Sequence, residues 1–201
     1  MIRILVADDQ SLIRHSIAAI LSYEADFDVV GEASTGVEAV QLAHTLAPDL
    51  VLMDVHMPLQ DGIAAAAEIL SGENACRILM LTAFARPGYL SRAVKLGASG
   101  FLLKDTPPAE LFDAIRTIHR GGLVLDPMLA SESFALGDSP LTRREAQVLV
   151  SLLVDASTSA VAAAMHLSEG SVRNLISSAM TKLGAAQRLE AARIAYENGW
   201  L

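Results

Sequence analysis

Along the first 120 residues, short and continuously apolar runs alternate with segments of helical period. Ile2–Ala7, Asp28–Ala33, Leu50–Met53, Ile78–Thr82 and Gly100–Leu103 read as strands, since short runs without polar alternation suit strands buried on both faces. Helical spacing occupies about 11–22, 35–46, 61–70, 87–96 and 107–119. Asp49, Gly97 and Gly121-Gly122 mark boundaries, and Thr106-Pro107 gives the fifth helix a cap and a first-turn proline. Five β-α repeats predict an α/β, doubly wound, five-stranded parallel sheet with helices on both faces. Over residues 123–139 the periodicity fades, and this stretch reads as a linker.

No strand pattern follows Pro140. Four helices fit, at about 143–154, 158–165, 169–183 and 187–198. Between the second and third lie only His166-Leu167-Ser168, room for a tight turn and nothing more. That spacing predicts an all-α helix-turn-helix domain. The expected organisation is therefore 1–122, a linker over 123–139, and 140–201.

Composition sharpens this picture in three ways. Apolar residues make up 52% of the 201, yet 33 are Ala and only 4% are aromatic, so the cores must be built from small aliphatics. No apolar run approaches the ~18 residues of a membrane span, and Asp8-Asp9 comes too early for a secretory signal. The lone Cys76 excludes a disulfide framework and a cysteine-rich metal site. A soluble, cytoplasmic protein that does not contact membranes is the expectation. Charge is divided unevenly: residues 1–138 carry 9 Lys+Arg against 18 Asp+Glu, whereas 139–201 carry 6 against 5. An acidic body joined to a near-neutral tail suggests two modules with different partners.

Chemistry enters where polar residues end the apolar runs. Asp8 and Asp9 end the first strand, Asp54 the third, Thr82 the fourth and Lys104 the fifth. Open parallel sheets bind ligands outside the carboxyl ends of their strands, and all five fall on that edge. Singly, each is an ordinary loop residue; together they form a constellation. Three carboxylates there call for a hard cation, and Mg²⁺ with oxygen ligands suits the task. Asp54 is then a nucleophile that forms an acyl phosphate. Lys104 neutralises the phosphoryl oxygens, and the Thr82 hydroxyl donates a hydrogen bond to one of them.

Residues 1–120 resemble the receiver domain of two-component response regulators. The resemblance is carried by Ala7-Asp8-Asp9, Met53-Asp54-Val55-His56-Met57-Pro58-Leu59-Gln60-Asp61-Gly62, Leu81-Thr82-Ala83 and Gly100-Phe101-Leu102-Leu103-Lys104. It implies phosphoryl transfer from a sensor histidine kinase to Asp54, with Asp9 and the His56 backbone carbonyl joining Asp8 and Asp54 around Mg²⁺. Phe101 stands where the family keeps an aromatic switch that turns inward as Thr82 moves. His56 and Phe84, each two residues beyond a pocket residue, are bulky enough to crowd a hydrolytic water, so a long-lived phospho-form is expected. The resemblance further implies a homodimer on phosphorylation; the first and fifth helices offer Ile13, Ile17, Leu111, Ile115 and Ile118 as apolar positions, several of which must face the sheet.

From Leu141 to Leu201 the chain is similar to the LuxR-type DNA-binding domain, and the pairing of the two is that of the NarL/FixJ family. Ser168 is a good cap for the 169–183 helix, along which Val172, Ile176, Ala179 and Leu183 form an apolar stripe. Arg173, Asn174, Ser177 and Thr181 fall on the other side, and Arg and Asn suit bidentate contacts with guanine and adenine in the major groove of double-stranded DNA. Lys182, Arg188, Arg143 and Thr142 are either phosphate contacts or plain solvated side chains. Two departures stand out. Ala156-Ser157-Thr158-Ser159-Ala160-Val161 lacks the Lys and Gly usual before the turn, and Leu175 stands where a His is common.

Other functions compete with a phosphorylation-controlled transcription factor. Dehalogenase-type phosphatases also use a strand-end Asp nucleophile, but they need a second acid two residues later, where this chain has His56. A phosphate-independent regulator with a vestigial pocket is disfavoured by the intact Asp8, Asp9, Asp54, Thr82 and Lys104. The protein is thus expected to catalyse nothing beyond its own phosphorylation and dephosphorylation.

Overall fold

Residues 1–72, 76–84, 86–154 and 157–201 are described by the computed structural model. Two compact units result, one formed by 1–85 and 90–131, the other by 86–89 and 132–201.

The first unit is built from β1 (Ile2–Ala7), α1 (Ser11–Leu21), β2 (Phe27–Ala33), α2 (Gly36–Leu46), β3 (Leu50–Asp54), α3 (Gly62–Ser71), β4 (Arg77–Thr82), α4 (Pro87–Leu96), β5 (Gly100–Leu103) and α5 (Pro108–His119). These match the expected strands and helices to within a residue at each end. The sheet is wholly parallel, in the order β2-β1-β3-β4-β5 with a sixth strand, β6 (Val124–Leu125), beyond β5. Expectation held five strands. The sixth arises because two backbone groups extend the ladder at its edge: Val124 N–H donates to Ser99 O at 3.1 Å and Asp126 N–H to Phe101 O at 3.0 Å. Two residues are too few to leave an apolar run in the sequence.

β1, β3 and β4 are buried along almost their whole length, as central strands of a doubly wound sheet must be. Ile4, Val6, Leu50, Leu52, Leu79, Leu81 and Leu102 pack against Leu21 of α1 and Leu111, Ile115 and Ile118 of α5. The alternate positions Leu5, Val51, Met53, Met80 and Phe101 are buried on the opposite face, where α2 and α3 contact the sheet. Order reverses at β1, between β2 and β3, so a crevice opens at the carboxyl ends of β1 and β3.

The stretch expected to be a linker carries more than β6: it includes α6 (Pro127–Leu136). Asp126 starts that helix, its Oδ1 accepting the Met128 and Leu129 N–H groups at 3.0 Å each, with Pro127 as the first helical residue.

In the second unit α7 (Arg143–Val154), α8 (Thr158–Ala164), α9 (Glu169–Leu183) and α10 (Arg188–Glu197) reproduce the four expected helices. Val148, Leu149, Leu152, Val161, Val172, Ile176, Ala179 and three alanines of α10 form their core, with Trp200 packed against it. Small residues let the helices approach closely. His166, in the left-handed region at φ 52°, closes the α8–α9 turn.

Candidate functional site

β1, β3, β4 and β5 deliver their terminal polar residues to one end of the sheet. Parallel register places Ala7 opposite Met53, Asp54 opposite Leu81 and Thr82 opposite Leu103. The residues that follow Ala7 and Leu103, Asp8 and Lys104, therefore flank Asp54. Carboxylate oxygens of Asp8, Asp9 and Asp54 lie within 4.8 Å of one another, with Asp8 and Asp54 buried and Asp9 exposed. Lys104 Nζ reaches Asp8 Oδ2 at 2.7 Å and Asp54 Oδ2 at 3.0 Å. The single ammonium cannot neutralise three acids.

Electrostatics follow from burial. Desolvation pushes the Asp54 carboxyl up to about 6, against the pull of Lys104. On Lys104 burial works against the charge, but Asp8 and Asp54 outweigh it and hold its pKa above the ordinary lysine value. Thr82 is fully buried, and its Oγ1 accepts the Phe84 N–H at 3.2 Å. Phe101 is fully buried. The His56 and Phe84 rings meet edge to face, with centroids 6.0 Å apart and planes at 89°, so the two residues expected to crowd the pocket form a pair.

Hard oxygen donors from three acids, two of them buried and under-neutralised, fit a divalent cation such as Mg²⁺. Asp8, Asp9 and Asp54 would hold it, the His56 carbonyl being the further oxygen that the family resemblance implies.

One pocket residue escapes a reading based on charge. Gly62 opens α3 against the end of β3, donating its N–H to Val55 O at 2.9 Å. A Cβ there would lie 1.8 Å from the Asp54 carbonyl oxygen. Glycine is thus a condition for the position of Asp54.

In the second unit Ser168 caps α9, its hydroxyl accepting the Ser171 N–H at 3.1 Å, and Gly184 at φ 64° ends it. Val172, Ile176 and Ala179 are buried, while Leu183 and Leu175 pack half-buried against the core. Arg173, Asn174, Ser177 and Thr181 are exposed along the opposite face, as expected. Arg173 Nη2 reaches Glu169 Oε2 at 3.2 Å, and the Thr181 hydroxyl donates to Ser177 O at 3.0 Å. Beside α9 an open groove of about 690 Å³ is lined by Thr158, Arg173, Ser177 and Arg188.

Lys182 and Thr142 lie elsewhere, around a residue the sequence reading missed. Glu145 of α7 is 3% exposed. Its carboxylate accepts from Lys182 Nζ at 2.7 Å, Ser178 Oγ at 2.6 Å and Thr142 N–H at 2.6 Å. Burial alone would raise its pKa; these partners reverse that and bring it down to about 2. Lys182 therefore ties α9 to α7, a partner inside the domain that its reading as a phosphate contact did not foresee. The signal was present as Thr142-x-x-Glu145, the pattern of a capping box. In the segment before the turn Ser157 caps α8, accepting the Ala160 N–H at 3.2 Å; Ala156 lies outside the described residues. On the first unit Leu111, Ile115 and Ile118, expected as apolar positions for a dimer, belong to the core. Ile17 packs half-buried against that core, Ile13 is half-buried, and Leu12 of α1 is exposed.

Comparison with known proteins places both units. Residues 4–116 match the response regulator receiver domain, and residues 139–195 the luxR family of bacterial regulatory proteins. The chain is 40% identical over 201 residues to the uncharacterized transcriptional regulatory protein YvfU of Bacillus subtilis (strain 168), covering all of both chains. It is 38% identical over 200 residues to the transcriptional regulatory protein DesR of the same organism, covering 100% of this chain and 99% of DesR. Among solved structures, the response regulator ChrA of a heme-sensing two-component system aligns with a TM-score of 0.59 at 30% identity, over 100% of this chain and 98% of that one. The chain belongs to the NarL/FixJ family of two-component response regulators, with a receiver domain followed by a LuxR-type DNA-binding domain.

Proposed function

We propose that Asp54 is the phosphoacceptor of this regulator and that its phosphorylation controls DNA binding through the 140–201 domain. The observation that carries this is the Asp54 carboxylate itself, buried at the end of β3, 3.0 Å from Lys104 and grouped with Asp8 and Asp9. A carboxylate oxygen of Asp54 attacks the phosphorus of a phosphohistidine on a sensor kinase. The P–N bond breaks, the imidazole leaves, and an acyl phosphate forms. Mg²⁺, when bound, offsets the repulsion between the anionic donor and the anionic pocket. Lys104 shifts from the Asp54 oxygen to a phosphoryl oxygen, and Thr82 turns its hydroxyl proton from the Phe84 carbonyl oxygen to another. Phe101, the switch the family resemblance implies, is already buried here, the inward position of that switch. No substrate other than the protein's own aspartate is turned over.

The phospho-form pairs as a homodimer, which sets two 140–201 domains on one stretch of double-stranded DNA. Arg173 and Asn174 then read base edges, Ser177 and Thr181 support them, and Arg143 and Arg188 meet phosphates. Incubation with a small-molecule phosphodonor and Mg²⁺ should add one phosphoryl group by intact mass, and Asp54→Asn should abolish the gain. Labelling of Asp54→Asn at the wild-type rate would refute the assignment. No labelling of either protein would point to a regulator that works without phosphate.

A further inference from the structure

Arg14 ends the first turn of α1, and its side chain is only 13% exposed. Rather than reach water, the guanidinium folds back over the β1–α1 junction. Nη1 donates to the Asp8 main-chain carbonyl at 2.7 Å, and Nε donates to Glu32 Oε2 on β2 at 3.2 Å. His15 Nε2 stands 3.4 Å from that same glutamate oxygen, on the exposed side.

Asp8 is consequently held at every polar group. Its N–H donates to Ala33 O at 3.0 Å, its Oδ1 accepts the Gln10 N–H at 2.9 Å, its Oδ2 meets Lys104 Nζ at 2.7 Å, and its carbonyl takes Arg14. The last of these bonds matters most for the next residue. The Asp8 carbonyl lies in the peptide plane that leads to Asp9, so whatever fixes that oxygen fixes where the Asp9 side chain departs. Asp9 is exposed, and packing does not orient it.

We infer that Arg14 is a positioning residue for the cation site: it locks the Asp8–Asp9 peptide plane and so presets the Asp9 carboxylate against Asp8 and Asp54. The inference rests on the reading of these three acids as a Mg²⁺ site. Two nitrogens of one planar group span the carbonyl and Glu32, and Glu32 keeps the fork aimed. A lysine at 14 offers a single point charge and cannot make both bonds in that geometry.

The test is Mg²⁺ titration of the unphosphorylated full-length protein by calorimetry, well below its melting temperature, for wild type, Arg14→Lys, Arg14→Ala, Glu32→Gln and Asp9→Asn. Arg14→Lys should weaken Mg²⁺ binding by about tenfold, the low end for partners that orient metal ligands, and Arg14→Ala by at least as much. Glu32→Gln should lose less, since an amide oxygen can still accept from Nε. Melting temperature without Mg²⁺ should be nearly unchanged for Arg14→Lys, which separates positioning from folding. In phosphodonor labelling, the Mg²⁺ concentration for half-maximal rate should rise by a similar factor. Wild-type Mg²⁺ affinity in Arg14→Lys, with Asp9→Asn weakened, would overturn the role of Arg14 and leave the pocket standing. Wild-type affinity in Asp9→Asn would overturn both.

Discussion

At the scale of single residues, the pocket combines groups that announce themselves with groups that do not. Asp8, Asp9, Asp54, Thr82 and Lys104 were legible because each interrupts or ends an apolar run at a strand end. Arg14 was not, and of Glu145 only its cap with Thr142 was, not its burial against α9. A charged residue on a periodic helix ordinarily faces water, and what holds these two comes from outside their own helices: the end of β1 and β2 in one case, α9 in the other. Gly62 was in view as part of a motif, but its reason is a backbone approach that spacing cannot reveal. Gly62→Ala should destabilise the first unit by about 2–3 kcal/mol, the range for forced overpacking, and should slow Asp54 labelling as the strand end shifts. Denaturant unfolding and phosphodonor labelling check the two effects. The His56–Phe84 ring pair leads to a second expectation. Phe84→Ala removes half of the pair beside the proposed phosphorylation site, so the phospho-form should hydrolyse several-fold faster than wild type in a mass-resolved time course. An unchanged or slower rate would remove the steric argument.

Secondary-structure elements were read best where burial is total. β1, β3 and β4 could be nothing else, because a run without polar alternation has to be buried on both faces. β6 and α6 were missed for opposite reasons. β6 is too short to leave a run, and the apolar residues of α6, Met128, Leu129, Ala130, Phe134, Ala135 and Leu136, are not spaced to make a single face; only Asp126-Pro127 marks its start. Three predictions belong to the second unit. The Glu145 carboxyl is held at about 2, below its ordinary 4.5, so it binds protons more weakly in the folded state. Its contribution to stability is complete above about pH 4.5 and lost as pH falls toward 2. Glu145→Gln should therefore lower the melting temperature at pH 7, and the gap to wild type should narrow below pH 4. Lys182→Ala should cost about 1–2 kcal/mol, less than a fully buried pair because the lysine is a third exposed. At the α8–α9 turn, His166 at φ 52° tolerates a conformation that penalises β-branched residues, so His166→Val should cost about 1 kcal/mol in chemical denaturation.

Across the whole molecule, charge is unevenly divided: acidic over residues 1–138 and close to neutral beyond. Few cations face DNA in each copy, and Lys182 is already ion-paired to Glu145. A dimer neutralising about 6 phosphates should lose affinity with a log–log salt slope near −5, on half-sites roughly 10 bp apart centre to centre. Arg173→Ala should cost ~1–3 kcal/mol on cognate DNA and much less on scrambled sequence. An equal loss on both would make Arg173 a phosphate contact. Phosphorylation without any shift from monomer in light scattering would remove the dimer.

Trp200 is the chain's one tryptophan, and it packs against the core of the helical second unit. Fluorescence excited at the red edge of the indole band therefore carries no signal from the α/β unit, whose melting must be followed by far-ultraviolet circular dichroism. Recording both on one sample assigns each transition to its unit without a label or a truncated chain. An emission shift on addition of a phosphodonor would be a message received at the far end of the polypeptide from Asp54.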